Sequence, residues 1–462
     1  GYYGWWALAS YMALYFPGFL FAARVAVLRF RVPAILAVPI VWVGLEYLRS
    51  WLMTGFPWYF LAHPQYRWIR LIQVADVMGA YVVSFLVALV NGWFVDLLAV
   101  PLLRPVDSGV RLAREQIWRM AVVWGALAAV FVYGSARTHN RDDDSDGPTV
   151  ALIQTNVPQK VKADEERVPE INRQYLRLAD EAATWQPDLV VWPETAYRIP
   201  LVTIDPEVTD TDISRILADE DADPVLVRRL VVQVREDLVF LAGKTGKPTL
   251  MGINSERFDR NGSRRYNSAV LVLPTEGVTQ SYDKVDLVPW GEYLPLKKWM
   301  PWLRIFTPHA SANYGLDAGT ERVRFEARRG LSFGVLICFE DTLPRAARAY
   351  LRGGQPVHFL VNITNDGWFG TASDDEPGTG VFRRAEHEAH LAASVFRTVE
   401  CRRSMVRAVN TGVSAIIDSS GRIIQIAGDG ERNPMASGVV VGVVPLDHRT
   451  SLYVRFGDWL GQ

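Results

Sequence analysis

Long apolar stretches fill the first third of the chain. Residues 5–23 contain no charged side chain, and further apolar stretches cover residues 32–47, 72–98 and 117–134. About 20 mostly apolar residues in a row are enough for a helix to cross a bilayer. A soluble alternative would need four buried helices without the polar face that surface helices normally carry. The pattern therefore predicts a membrane region, residues 1–135, with about four spans.

The arginines of this region are concentrated in two loops. The loop between the first two spans contains Arg24, Arg29 and Arg31, and the loop between the last two contains Arg104, Arg111, Arg114 and Arg119. Cytoplasmic loops of membrane proteins carry an excess of Lys and Arg, so both loops are predicted to be cytoplasmic. The chain then leaves the fourth span on the opposite side, through an acidic linker within residues 136–148.

From residue 149 the pattern changes to short apolar, β-branched runs that alternate with amphipathic segments. Strands are predicted at residues 149–154, 188–192, 248–253, 267–273, 331–338, 357–364, 404–409, 413–417 and 438–444. Helices are predicted at residues 166–185, 225–242, 344–352 and 382–400. Such alternation is typical of a layered α/β domain, here residues 149–450. The acidic segment 201–223 is interpreted as a surface insertion without chemistry.

Reactive side chains stand at the ends of these predicted strands. Glu194 follows one strand, Cys338 ends another, and Lys284 and Glu292 lie in an aromatic loop with Pro and Gly. A lone cysteine in an apolar strand is more often a buried hydrophobe than a nucleophile. A neighbouring cation and a carboxylate base would change that, because together they activate a thiol. The three residue types in this order favour nucleophilic catalysis.

Four motifs carry a family resemblance. They are WPE at residues 192–194, DKxxLVPWGEYLP at 283–295, ICFED at 337–341 and NITNDGWFG at 362–370. They resemble the carbon–nitrogen hydrolase (nitrilase) superfamily, and the apolar first third narrows the resemblance to its apolipoprotein N-acyltransferase family. The resemblance implies an αββα sandwich after the membrane region, with no cofactor and no metal. It also implies further spans before residue 1 and one after residues 451–462, so the sequence is expected to be a fragment.

The resemblance assigns roles to the candidate residues. Cys338 is expected to become a thioester, Glu194 to move the proton, and Lys284 to stabilise the oxyanion. Glu292 resembles an additional glutamate that supports the lysine, although alone it would pass for a solvated loop residue. The expected substrate-binding residues are Glu340, Phe339, Asn267 and Trp368. Phe339 stands where the family usually has a tyrosine. For Trp368, packing in the core is an equally good interpretation as contact with the substrate.

Three other features have simpler interpretations. His387 and His390 have a spacing that suits a metal, but no third ligand stands at a suitable distance in the sequence. Cys401, at a helix end, is interpreted as structural. Glu46 and Arg49 lie on one helix face, either as a pair near the membrane surface or as a contact to a lipid head group.

The expected function is transfer of an acyl chain from a phospholipid, through the thioester, to the diacylglyceryl-cysteine amine of lipoproteins. The resemblance places the enzyme in the bacterial inner membrane with its catalytic domain on the periplasmic side. A net charge of −1 gives no sign of a nucleic-acid partner. A membrane-tethered amidase acting on a small amide is the alternative, and a non-catalytic binding module would need a lost triad position. The spans favour the acyltransferase, because both its substrates reside in the membrane.

Overall fold

The structure is a computed structural model of the chain. It describes residues 2–52, 55–98, 109–139, 144–162, 164–218, 223–294, 300, 315–328, 330–353, 355–369, 380–428 and 433–459. Of the predicted features, the loop arginine Arg104 and linker residues 140–143 lie outside these ranges.

Four long apolar helices make up the membrane region, as predicted. They are α1 (Tyr2–Leu28), α2 (Ala34–Trp51), α5 (Ala80–Leu98) and α6 (Gly109–His139), and each contains a segment long and apolar enough to cross a membrane. The third predicted span, 72–98, begins too early. Its first residues form the short helices α3 (Ile69–Ile72) and α4 (Ala75–Met78), and Gly79 then turns the chain with a φ of +72°.

The loop between α2 and α3 folds against α2 through two buried charged residues. The Arg49 guanidinium donates to the carbonyl oxygen of Trp58 at 2.8 Å, and the backbone N–H of Leu61 donates to Oε1 of Glu46 at 2.8 Å. Glu46 is 2% exposed and Arg49 7%. The two side chains therefore anchor the loop, a role that the sequence did not suggest, and their position at the membrane surface or on a lipid head group stays a prediction.

The α/β domain contains two facing sheets. The first has the order β13-β1-β2-β4-β5-β6, with β3 paired to β4. Its strands are β1 (Asp144–Gln154), β2 (Leu189–Val191), β3 (Tyr197–Ile204), β4 (Thr249–Asp259), β5 (Gly262–Leu273), β6 (Gly277–Asp283) and β13 (Gly438–Asp447). The second has the order β12-β11-β10-β9-β8-β7. Its strands are β7 (Arg324–Arg328), β8 (Leu331–Ile337), β9 (Phe359–Thr364), β10 (Met405–Val409), β11 (Ala415–Ile417) and β12 (Ile423–Ile426).

Helices lie outside both sheets, where they pack on the strands or on one another. They are α7 (Gln159–Lys162), α8 (Val168–Thr184), α9 (Asp210–Ile216), α10 (Pro224–Thr245), α11 (Pro344–Ala349), α12 (Gly380–Cys401) and α13 (Leu452–Phe456). Apolar side chains such as Val150 and Val335 fill the space between the sheets, and Tyr175 and Leu238 pack α8 and α10 on the first sheet. On the second sheet, α12 packs through Val395. The layers form the expected αββα sandwich.

Several elements escaped the sequence patterns. Of the acidic segment 201–223, the described residues 201–218 are packed into the domain and are not a surface insertion, because β3 pairs in parallel with β4 and α9 buries Ile213 completely. Pro200 and the acidic composition hid β3, which pairs only with β4, and proline is tolerated on such an edge strand. The strands β6, β7 and β12 were also missed, since they are short and mix apolar with polar residues.

Candidate active site

Cys338 lies where β8 ends. The strand is buried along its whole length, and a 3-10 turn, Cys338–Thr342, begins at the cysteine. Cys338 has a φ of +52°, a left-handed conformation that costs a non-glycine residue on the order of 1–3 kcal/mol. The Asn362 side chain donates to its carbonyl oxygen at 3.3 Å and so helps to hold the turn. The cysteine keeps part of its surface exposed, whereas Cys401 is fully buried.

Two carboxylates and one lysine gather beside this turn, from elements far apart in sequence. Glu194 follows β2, Lys284 follows β6, and Glu292 stands eight residues further on. Nζ of Lys284 lies 2.8 Å from Oε1 of Glu292 and 4.0 Å from Oε1 of Glu194. Asn267, on β5, donates to Glu194 at 2.6 Å and to Glu292 at 3.3 Å. The structure thus brings these four predicted residues together.

The electrostatics of this group favour a neutral thiol at rest. Burial raises the pKa of Cys338 well above its usual value, Glu194 raises it further, and Lys284 opposes both. Burial also raises the pKa of the Glu194 carboxyl, against the effect of Lys284. For Lys284 burial lowers the pKa, but Glu292, Cys338 and Glu194 outweigh it, so the net shift is upward. A neutral thiol needs a base before it can attack, and a buried carboxylate is suited to that task.

Three of the four residues expected to bind substrate are buried. Glu340 accepts hydrogen bonds from Tyr282 (2.7 Å), from the backbone N–H groups of Val285 and Asp286 (3.0 and 3.1 Å), and from that of Ile337 (2.8 Å). Phe339 and Asn267 are 4% and 3% exposed. Trp368 is 68% exposed, in the 3-10 turn Asp366–Phe369 that follows β9.

Aromatic side chains from the loop between α2 and α3 reach the cysteine turn. Phe56 stacks on Phe339 with ring centroids 6.0 Å apart, and Trp58 lies 5.8 Å from Phe369 and 5.2 Å from His390. The membrane region and the candidate site therefore share one packed aromatic wall.

A buried ionic cluster behind the cysteine was not predicted. Both ring nitrogens of His390 lie 2.8 Å from a carboxylate oxygen, one of Asp341 and one of Asp366. Arg407 pairs with the same two aspartates at 2.9 and 2.7 Å. Because ionised carboxylates only accept hydrogen bonds, we assign both ring nitrogens as donors and His390 as an imidazolium.

The pKa of His390 agrees with that assignment. Burial and Arg407 lower it, but Asp341 and Asp366 outweigh them and raise the pKa to about 9. Within the described residues no three or more His, Cys, Asp and Glu side chains form a group that could hold a metal ion. The two histidines at helical spacing face aspartates. A sequence signal that could have revealed this cluster is Arg407, a charge inside an apolar strand.

Lys162 is a second residue that the sequence did not reveal. It is 8% exposed and donates to the carbonyl oxygen of Glu194 at 3.1 Å and to Oγ1 of Thr195 at 2.8 Å. Burial lowers its pKa to about 8, against the effect of Glu194. It braces the backbone that carries the glutamate. Because it stands in a polar stretch before α8, no local pattern distinguished it.

Comparison with known proteins gives two family matches. Residues 1–93 match the family model described as apolipoprotein N-acyltransferase N-terminal domain, and residues 149–451 match carbon-nitrogen hydrolase. The chain is 34% identical to the apolipoprotein N-acyltransferase of Geobacter metallireducens, covering 98% of this chain and 76% of that protein. It is 28% identical to the enzyme of the same name from Rhodopirellula baltica, covering 98% and 81%.

Among solved structures, the chain is similar to an amidase from Nesterenkonia sp., with 16% identity and a TM-score of 0.40. That match covers 67% of this chain and 93% of the amidase. By its sequence matches, the chain belongs to the apolipoprotein N-acyltransferase family, within the carbon–nitrogen hydrolases.

Proposed function

We propose that this protein moves an acyl chain from a membrane phospholipid to Cys338 and then to the α-amino group of a lipoprotein's diacylglyceryl-cysteine. The observation that carries the proposal is the arrangement at the end of β8. A thiol of raised pKa lies beside a carboxylate and a buried lysine, in a chain with four helices able to span a membrane.

The first step forms the thioester. Glu194 accepts the proton of the Cys338 thiol as the sulfur attacks the ester carbonyl of the phospholipid. Lys284 donates to the oxyanion that develops, and such a donor is typically worth about 3 kcal/mol. The C–O bond of the ester then breaks, Glu194 returns the proton to the leaving oxygen, and the lysophospholipid departs.

The second step uses the same groups in reverse. The neutral amine of the acceptor attacks the thioester carbonyl, and Lys284 again stabilises the oxyanion. Glu194 takes the proton that the nitrogen loses as the C–S bond breaks, and passes it to the departing thiolate of Cys338. An amide is formed and the enzyme returns to its resting state, so one base serves both halves.

The buried neighbours act by positioning these groups. Glu292 pairs with Lys284, and Asn267 binds both carboxylates, which fixes their separation. We assign Glu340 to the same class and not to substrate contact, because its oxygens hold β8 to the loop after β6. Phe339 is assigned to the aromatic wall, and the exposed Trp368 remains the candidate contact for lipid.

The His390 cluster is proposed to fix the relative positions of two turns. Asp341 belongs to the turn that begins at Cys338, and Asp366 to the turn that carries Trp368. One imidazolium and one guanidinium bridge both aspartates. His390 is therefore a positioning residue, since it acts on the reaction through these aspartates.

The location follows from the charges around the helices. The arginines between α1 and α2 support a cytoplasmic position for that loop. Three spans, α2, α5 and α6, separate that loop from residue 139, and an odd number of crossings ends on the opposite side of the membrane. The α/β domain is therefore proposed to lie on the periplasmic side of the inner membrane. That side is where the proposed lipoprotein acceptors would be met.

Intact-mass spectrometry tests the reaction class. The purified protein, incubated with phospholipid alone, should gain the mass of one acyl group, and a diacylglyceryl-cysteine peptide should then remove it. Cys338→Ser should show neither event, whereas Cys401→Ala should show both, because Cys401 is buried and its raised pKa of about 12 keeps it protonated. Release of ammonia from a small amide, with no acyl adduct from phospholipid, would instead support the amidase alternative.

A further inference from the structure

A separate cavity lies where the membrane region meets the second sheet. It has a volume of about 260 Å³ and is lined by Ile69, Arg70, Ser135, Thr138, His139 and Arg422. Its walls are α3, the last turns of α6 and the turn before β12. None of these residues belongs to the active site, so the cavity is not part of the reaction centre.

Close packing defines the cavity. A Cβ atom added at Gly134 would lie 1.8 Å from the carbonyl oxygen of Arg70, so α6 and α3 touch at this glycine. The Arg70 guanidinium lies 5.9 Å from the Phe131 ring of α6. The wall formed by these two helices is therefore a built feature of the fold.

Arg70 and Arg422 bring two positive charges to the cavity, and the carboxylate beside Arg422, that of Asp418, accepts from the backbone N–H of Arg422 at 2.9 Å. Among the described residues, neither Arg70 nor Arg422 forms an ion pair through its guanidinium. A guanidinium stays charged at every physiological pH, and its planar set of donors matches phosphate. This side of the cavity fits a phosphate group.

The α6 side of the cavity offers hydrogen-bond acceptors beside one basic residue, His139. The Ser135 hydroxyl donates to the carbonyl oxygen of Phe131 at 2.8 Å, and that of Thr138 to Gly134 at 2.9 Å. Their hydrogens are used, so the two oxygens are left as acceptors. The carboxyl end of a helix also carries partial negative charge, which favours a cation. This side therefore fits an ammonium group.

An apolar stripe leads from the cavity into the membrane span. Trp124, Ala128, Phe131 and Ser135 follow one another at helical spacing on one face of α6. Trp124 is 62% exposed and Phe131 41%. At 1.5 Å per residue the stripe is roughly 16 Å long, which is about half the thickness of a bilayer's hydrocarbon core. It matches the length of one lipid leaflet.

We propose that this cavity binds the head group of an aminophospholipid, with an acyl chain along the α6 stripe, as a resident lipid distinct from the acyl donor. The phosphate lies on Arg70 and Arg422, and the amine on the oxygens of Ser135 and Thr138. Inorganic phosphate shares the first contact but lacks both the amine and the chain. The site does not depend on the chemistry proposed for Cys338.

Native mass spectrometry of the full chain in detergent tests this site. The protein carries Cys338→Ser throughout, so that no acyl group is transferred, and is stripped of lipid before phosphatidylethanolamine is added. This parent protein should carry one more bound phosphatidylethanolamine molecule than the Arg70→Gln/Arg422→Gln variant, or its dissociation constant for that lipid should be at least tenfold lower. Arg67→Gln is the matched control, because this arginine lies on the same segment but outside the cavity, and it should behave as the parent.

Two further arms separate the possible ligands. Phosphatidylglycerol should bind more weakly than phosphatidylethanolamine, and Thr138→Val, which keeps the side chain's shape, should reduce that difference. Equal phosphatidylethanolamine binding by the parent and the double arginine variant would overturn the site. Displacement of the lipid by millimolar inorganic phosphate would show that the cavity is a site for a free anion. Equal binding of the two phospholipids would overturn the proposed contact between the lipid's amine and Ser135 and Thr138.

Discussion

The Asn267 side chain donates a hydrogen bond of 2.6 Å to Oε1 of Glu194. The other oxygen of this carboxylate accepts from the backbone N–H of Asn365 at 2.8 Å. The proposed base is thus held at both oxygens, and each keeps a further lone pair. Asn267 also contacts Glu292, so a single amide sets the distance between the two carboxylates that flank Lys284.

Asn267→Ala should slow acylation of Cys338 by about 10- to 100-fold, because a hydrogen bond to a charged group is worth about 1.5–3 kcal/mol. Asn267→Asp should be worse, since a third carboxylate would raise the pKa of Glu194 further. The rate of the acyl mass gain after rapid quenching measures both effects. Asn172→Ala is the control, because Asn172 is exposed on α8, away from the strand ends that carry the site. Equal rates in Asn267→Ala and the control would remove Asn267 from the site.

The sequence revealed two of the candidate residues through strand ends, because Glu194 and Cys338 stand at the ends of apolar runs, where side chains of an α/β fold are presented. Lys284 was recognised by its loop motif, since the strand before it, β6, mixes apolar with polar residues. The sequence did not reveal how buried Glu340 is, since a carboxylate next to a nucleophile resembles a substrate contact. Its actual partners come from β6 and the loop after it, a pairing that no local pattern encodes.

The same limit explains the remaining misses. The anchoring roles of Glu46 and Arg49 depend on a loop that returns to α2, and that path is set by tertiary packing. His390 appeared as one of two histidines on a helix face, whereas its partners come from the turns after β8 and β9. The periodicity of the sequence predicts the helices and the layers. Buried polar contacts depend on which elements pack against each other in the folded chain, and no local pattern predicts that.

The charge of His390 should make stability depend on pH. The pKa of His390 in the folded protein, about 9, exceeds the usual value of 6.5. Its contribution to the free energy of unfolding is therefore complete below pH 6.5 and is lost as the pH rises through 9. The shift in pKa corresponds to at most about 3 kcal/mol of stability. The groups that face the ring are Asp341, Asp366 and Arg407, with His387 near the second aspartate.

Thermal unfolding in detergent measures this dependence. The unfolding temperature of the wild-type protein should decrease as the pH is raised from 6.5 to 9. That of His390→Gln should be lower at pH 6.5 and should change less over this pH range. His358→Gln serves as control, because burial lowers the pKa of His358 and moves its contribution to more acidic pH. A parallel fall in wild type and His390→Gln would contradict an imidazolium at this position.

The proposed orientation can be tested with reporter fusions. Because β1 begins at Asp144, a reporter must be joined before that residue, and His139 at the end of α6 is suitable. Alkaline phosphatase, which is active only outside the cytoplasm, should be active at His139 and inactive at Phe30, between α1 and α2. The reverse pattern would place the catalytic domain in the cytoplasm and exclude a periplasmic acceptor.

The order of the two substrates follows from having one nucleophile. Cys338 must hold the acyl chain while the lysophospholipid leaves and the acceptor enters, which predicts ping-pong kinetics. Double-reciprocal plots against donor concentration, at several acceptor concentrations, should give parallel lines. Intersecting lines, with no acyl-enzyme formed from donor alone, would instead favour direct transfer in a ternary complex.

The waiting thioester must also be kept from water, and the exposed Trp368 is the candidate for covering it. Trp368→Ala should leave acylation of Cys338 nearly unchanged, but the acyl mass should then decay to free enzyme and fatty acid faster than in wild type, or pass more slowly to the acceptor. Trp185→Ala is a matched control, because this tryptophan is 64% exposed at the end of α8, on the α/β domain. If Trp368→Ala and Trp185→Ala keep the thioester equally well, the protection comes from the packed aromatic wall that includes Phe56, Trp58 and Phe339, and not from the exposed ring.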